Sequence, residues 1–219
     1  MQKLYMDYPE ISKIKANIIS RRYLDDKTQI ILDRTIFMPN SEEFLADKGT
    51  ISAMEVLNVE EKKDNIIHTI KGRPQKSEVF LDLDMTNRRK NLSYNTAYII
   101  FKLIFDSFYR SSSINLIRKE EDFFIEVNDF YDVFDEKLIL DQINFLIGAN
   151  LKIESKQGIT KIDPIGDVIN NFICFDYTGK VRGLIFENID INKSLLKIKI
   201  KACDDILKWW FNAVIFNFI

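Results

Sequence analysis

The chain predicts an α+β protein, an N-terminal small β-barrel followed by an α+β two-layer sandwich. Three observations carry this. Residues 1–85 hold several short runs rich in β-branched or large apolar residues, each bounded by polar or turn segments. The pattern changes at "MTNRRKNLS", and from Leu92 to Tyr109 apolar residues recur at helical spacing. Beyond that point strands mix with a few helices, too few for the repeated strand–helix–strand units of a doubly wound sheet. The expected domains are 1–85 and 86–219.

The strands expected in the first part are 15–20, 29–33, 49–59, 65–70 and 78–84, separated by "LDDK", "EEKKDN" and "KGRPQK". That many short strands at this spacing suggest a small barrel. In "VFLDLD" apolar and acidic residues alternate, so Asp82 and Asp84 share a face. The helix from Leu92 to Tyr109 is apolar on most sides and should be largely buried. Strands follow at 114–119 and 122–129. A second helix is expected over 135–148, with Asp135 as N-cap and Gly148 near the C-cap. Further strands are expected at 151–155, 168–175, 183–191 and 195–201, the last two joined by a turn at Asn192, Lys193 and Ser194. A helix is allowed from Asp204. No internal repeat is visible.

Composition narrows the class. Apolar residues make up 46% and charged residues 29%, which suits a globular protein and excludes a disordered one. A net charge of −2 supplies no global field toward nucleic acid or membrane, so such contacts need local patches. Cys174 and Cys203 do not form a disulfide framework, and a reducing cytoplasmic location is expected. "MQKLYMDYPE" lacks the apolar core of a signal peptide. "WWFNAVIFNFI" (209–219) is too short to span a bilayer; it is expected to pack on the core or to join two copies as a homodimer, with no membrane partner.

Chemistry-bearing residues are sparse. His68, the one histidine, lies in a strand and reads as a packed residue. One His and two Cys cannot make a standard structural zinc site. Neither a glycine-rich phosphate loop nor a Ser–His pair at readable spacing is present. Basic clusters occur at Arg21–Arg22, at Arg88–Arg89–Lys90, and on the strand carrying Lys197, Lys199 and Lys201. The strand lysines alternate with Leu196, Ile198 and Ile200 and read as a solvent face. Arg88, Arg89 and Lys90 precede the buried helix and are either solvated or an RNA-backbone contact.

The segments then fall into a known order. "LDRTIFMPNSEEFLADKGTI" resembles L-D-x-T-x-F-Y-P-x-G/S-G-G-Q-x-x-D-x-G of alanyl-tRNA trans-editing proteins and the editing domain of alanyl-tRNA synthetase. Leu32, Asp33, Thr35, Phe37, Pro39, Asp47 and Gly49 match; Glu42, Glu43 and Phe44 replace Gly-Gly-Gln. "NTAYI" (95–99) aligns with H-T-A-x-H, and "NNFIC" (170–174), followed by "TGKVRG" (178–183), with C-G-G-T-H and T-G-E-I-G. The resemblance runs from about Lys3 to Trp209. It implies a fold like that editing domain, a tRNA acceptor end as partner, and hydrolysis of the ester joining serine or glycine to tRNA(Ala). It also implies that four zinc-ligand positions hold Asn95, Ile99, Asn170 and Cys174. Ile99 has no donor atom and neutral amides are poor zinc ligands, so no metal or other cofactor is expected. Asn95, Thr96, Asn170 and Cys174 are then expected to fill the former pocket and to hydrogen-bond one another, and no catalytic residue is assigned. Three functions stay open: an editing-family deacylase with weakened or lost zinc-dependent activity, a non-catalytic acceptor-end or aminoacyl binder, and an interaction protein dimerising through its C-terminus.

Overall fold

A computed structural model of the chain describes residues 1–41, 44–63, 65–156, 158–170 and 172–208. It divides into two compact units, Met1–Asn91 and Leu92–Ile219. The fold is α+β, with a closed barrel in the first unit.

The first unit opens with β1 (Gln2–Lys3), α1 (Leu4–Asp7), β2 (Lys13–Leu24), β3 (Lys27–Leu32) and β4 (Arg34–Thr35). It continues through β5 (Lys48–Ile51), β6 (Met54–Lys62), β7 (Asn65–Lys71) and β8 (Glu78–Asp84). The barrel closes in the order β2-β3-β7-β6-β5-β8, and β8 returns to β2 with Ala16 opposite Val79. Alternation decides which residues enter its core: Ile30, Leu32, Ile66, Ile70, Val79 and Leu81 are buried. The single strand expected at 49–59 is instead the hairpin of β5 and β6. Ser52 and Ala53 both take positive φ (49° and 63°), the backbone of a two-residue turn whose twist suits a hairpin. No Asn-Gly or Asp-Gly marks that turn in the sequence.

Helix α2 (Met85–Phe108) starts seven residues before the expected Leu92. Asp84 supplies the start signal, accepting from the Thr86 amide at 2.9 Å and from the Thr86 hydroxyl at 2.7 Å. "MTNRRK" is therefore helix rather than the approach to one.

In the second unit β9 (Ser113–Lys119), β10 (Asp122–Asn128), β14 (Leu184–Asn192) and β15 (Leu195–Ala202) form an antiparallel sheet ordered β14-β15-β10-β9. Leu196, Ile198 and Ile200 are fully buried on one face, as the alternation predicted. On the other face Lys197 pairs with Glu126, and Lys199 and Lys201 with Asp122 and Glu187. Tyr94 of α2 stacks on Phe123 at 3.9 Å between ring centroids. Helix α3 (Glu136–Ala149) is capped as expected, with Asp135 accepting from the Leu138 amide at 2.9 Å. Its C-cap is the left-handed Asn150, close beyond Gly148 as expected.

A second antiparallel sheet holds β11 (Ile153–Lys156), β12 (Ile159–Ile162) and β13 (Gly166–Ile169). The expected strand 168–175 stops at Ile169, because side chains take over the backbone groups that a ladder would use. Asn170 Oδ1 accepts from the Phe172 amide, and α2 claims groups of Ile173 and Phe175. Residues 209–219, expected to carry a dimer contact, lie outside the described residues. No helix among the described residues is long and apolar enough to cross a membrane.

Candidate functional site

The second unit brings Asn95 and Thr96 of α2 against the segment around Cys174, with Ile99 one helical turn further on. The cause is helical geometry, which sets positions 95 and 99 on one face. All three are fully buried. Asn95 Nδ2 donates to the Ile173 carbonyl at 2.9 Å, and the Phe175 amide donates to Thr96 Oγ1 at 2.9 Å. Two adjacent helical side chains thus clamp the backbone on either side of Cys174. Asn95 Oδ1 is buried with no hydrogen-bond partner, which leaves an acceptor open in the region.

Cys174 is itself buried, and its Sγ lies 3.1 Å from Ser155 Oγ. Ser155 Oγ in turn lies 2.8 Å from Thr160 Oγ1, the register partner across β11 and β12. Burial raises the Cys174 thiol above its ordinary pKa, only partly opposed by the Ser155 and Thr160 hydroxyls. The thiol therefore stays protonated at neutral pH. Asn170 stands apart and half-buried, with its amide spent on its own loop at Phe172 and Val168. The four expected pocket residues thus do not bond one another. Asn95, Thr96 and Asn170 are held by backbone groups and Cys174 by the Ser155 hydroxyl.

The donor set does not fit zinc. Ile99 offers no lone pair, Asn95 and Asn170 offer neutral amides, and the Cys174 thiol would have to lose a proton that its surroundings retain. Among the described residues no group of three or more His, Cys, Asp or Glu side chains is arranged to hold a metal ion. The region can clamp a loop and accept a hydrogen bond at Asn95 Oδ1. Among the described residues it holds no activated nucleophile and no acid–base pair.

In the first unit the structure corrects one expectation. Arg88, expected to be either solvated or an RNA-backbone contact, is fully buried. Its Nη2 donates to Asp47 Oδ2 at 2.5 Å and to the Ile36 carbonyl at 2.6 Å, and its Nη1 to the Pro9 carbonyl at 2.5 Å. Asp47 Oδ2 also accepts from the Met38 amide at 2.6 Å, closing the loop that starts after β4. A buried guanidinium needs such partners, and it cannot reach a phosphate from there. Burial nevertheless pushes the Asp47 carboxyl above its ordinary range, against the opposing pull of Arg88. The signal for burial was present: with the helix starting at Met85, Arg88 falls on the stripe of Leu92, Asn95 and Ile99. Arg89 is exposed and Lys90 half-buried. Glu42 and Glu43, which replace the Gly-Gly of the motif, lie outside the described residues.

His68 is fully buried, with Nε2 2.8 Å from Thr35 Oγ1. Gly49 takes φ +150° where β5 meets β8, and a Cβ there would lie 2.2 Å from the Asp82 carbonyl oxygen. Thr35, Asp47 and Gly49, all matches in the first quoted motif, therefore make packing and hydrogen-bond contacts within the first unit.

No protein-family model matches the chain. Curated relatives do. The alanyl-tRNA editing protein AlaX-L of Pyrococcus horikoshii is 30% identical over 117 residues, 50% of this chain and 29% of its own length. The alanine–tRNA ligase of Natronomonas pharaonis is 32% identical over 105 residues, 44% of this chain and 11% of its own. The alanyl-tRNA editing protein AlaX-M of Pyrococcus horikoshii is 32% identical over 100 residues, 43% of this chain and 44% of its own. The chain thus spans less than half the length of each of these relatives.

Proposed function

We propose that the chain is a divergent alanyl-tRNA editing protein whose inherited reaction, hydrolysis of Ser- or Gly-tRNA(Ala), is weakened or lost with its metal. Similarity to two AlaX proteins and an alanine–tRNA ligase supports the lineage. The observation that carries the loss is the donor set: Ile99 is buried where a ligand is needed, and Cys174 is a protonated thiol engaged by Ser155. Zinc-assisted hydrolysis needs several ligands that hold the ion and leave a position for water or substrate. The role would be cytoplasmic, in translation fidelity, with a tRNA acceptor end as partner and no membrane.

The test is elemental analysis of the full chain purified with zinc supplied, together with deacylation of Ser-tRNA(Ala) with and without chelator. Zinc well below one equivalent and slow, chelator-insensitive turnover are expected. Stoichiometric zinc with rapid turnover that the chelator abolishes refutes the proposal.

The unpartnered Asn95 Oδ1 favours one second reading, a module that binds the acceptor end or its aminoacyl group without cleaving it. Binding of Ser-tRNA(Ala) without release of serine is its signature. Pairing of two copies through residues 209–219 is a separate proposal. Light scattering of the chain truncated after Asp205 tests it, and an unchanged mass refutes it.

A further inference from the structure

One end of the barrel concentrates positive charge. Arg21 and Arg22 lie on β2, Lys27 starts β3, Lys71 ends β7, and Arg73 and Lys76 follow before β8. Register and hydrogen bonds make this one surface. Lys27 stands directly opposite Lys71, and Leu24 opposite Lys27. The Gly72 amide donates to the Asp26 carbonyl at 2.8 Å. Arg73 Nη2 reaches the Asp25 carbonyl at 3.3 Å, and Arg21 Nη2 the Lys76 carbonyl at 2.5 Å. The nearby carboxylates are Asp25 and Asp26 in the β2–β3 turn, Glu55, next in register beyond the Val56–Ile70 pair, and Glu78 at the start of β8, which is paired with Lys15. Setting aside that pair, six cations against three anions give a local positive excess on a chain whose net charge is −2.

Two features separate this end from an ordinary solvated surface. First, none of the six cations forms an ion pair among the described residues, whereas Lys3, Lys13, Lys15, Arg34 and Lys62 of the same unit each pair with a carboxylate. Lys27 facing Lys71 is unfavourable in the isolated protein, since like charges directly opposite across strands repel. Second, Tyr23 is 51% exposed, and the Arg73 guanidinium lies 5.4 Å from its ring centroid. An exposed aromatic ring beside a guanidinium is a surface on which a nucleobase can stack.

We propose that this end of the barrel, centred on Arg22, Lys27, Lys71 and Arg73 with Tyr23, is an RNA-binding surface. Its cations engage successive phosphates and Tyr23 takes a base. The choice of RNA as the polyanion rests on the tRNA reading above. An anionic membrane is the poorer fit, since the patch pairs its charge with one stacking ring rather than with a set of insertable apolar side chains.

The test is salt-titrated binding of the full chain to three probes: a tRNA(Ala) transcript, an unrelated RNA hairpin, and phosphatidylserine-containing vesicles. The variant is Arg22→Gln/Lys27→Gln/Lys71→Gln; among the described residues these three exposed side chains make no hydrogen bond or ion pair, so the variant should fold normally, as a thermal melt would verify. Lys152→Gln/Lys161→Gln is the control, on paired cations of the second unit. The triple variant is expected to bind tRNA at least about 10-fold more weakly near 0.1 M salt, with a salt slope flatter by about 2 to 3. The control should match the wild type. Equal affinity and slope for the triple variant overturn the surface but leave the tRNA reading standing. Patch-dependent binding of tRNA and hairpin alike supports the surface and counts against a tRNA-specific role. Wild-type protein that binds neither RNA, or binds vesicles more tightly than RNA, overturns the surface outright.

Discussion

Acidification should weaken the barrel through His68. The imidazole is fully buried on β7 and faces Thr35 Oγ1, which also accepts from the Phe37 amide at 3.0 Å. Burial disfavours the imidazolium and lowers the pKa from 6.5 to about 4. Between those values the unfolded chain binds a proton that the folded chain refuses, so stability rises with pH there. The neutral ring causes no loss above pH 6.5, and the loss grows as pH falls toward 4. Over the whole window it amounts to about 3 kcal/mol, and between pH 7 and pH 5 alone to about 2 kcal/mol. Other groups titrate nearby, and the raised Asp47 acts with the opposite sign, since it gains its proton more readily in the folded state. The informative quantity is therefore the difference between the wild type and His68→Gln. Urea melts followed by far-ultraviolet circular dichroism at pH 7, 6 and 5 measure it. The wild type should lose about 2 kcal/mol more than the variant over that range. Parallel curves for the two proteins would show that the imidazole is not held neutral, and the reasoning would fail.

Arg88→Met strands the Asp47 carboxylate and should cost about 3–5 kcal/mol in urea melts, with part of that recovered when Asp47→Leu is added; additive losses would refute the coupling. Of the two free cysteines, the half-buried Cys203 should react readily with a thiol reagent, while Cys174, buried and protonated, should wait for unfolding; two equally fast thiols would contradict this. Gly49→Ala drives a methyl group into the Asp82 carbonyl and should destabilise by at least about 2 kcal/mol, whereas Gly148→Ala, with open space around it, should be neutral or better.

Local pattern was enough for most of the fold. The alternation in 65–70, 78–84 and 195–201 and the cap at Asp135 read correctly, because period and capping are set by neighbours in the chain. The errors fall where distant groups decide. The hairpin at Ser52 and Ala53 carries no turn signature and is held by the partners of β5 and β6 across the barrel. The strand expected through 170–175 is absent because Asn95 and Thr96, nearly eighty residues earlier, bind its backbone instead.

The candidate site divides in the same way. By itself the sequence determined which donor atoms exist at positions 95, 99, 170 and 174, and so which metal chemistry they can support, because coordination depends on atom type. It also determined that Arg21 and Arg22 are adjacent. Only the tertiary structure decided that Arg88 is an internal clasp and that Lys27, Lys71 and Arg73 join that pair at one end of a barrel. A cation's meaning depends on whether a carboxylate, a carbonyl or water surrounds it, and strands distant in sequence supply that environment.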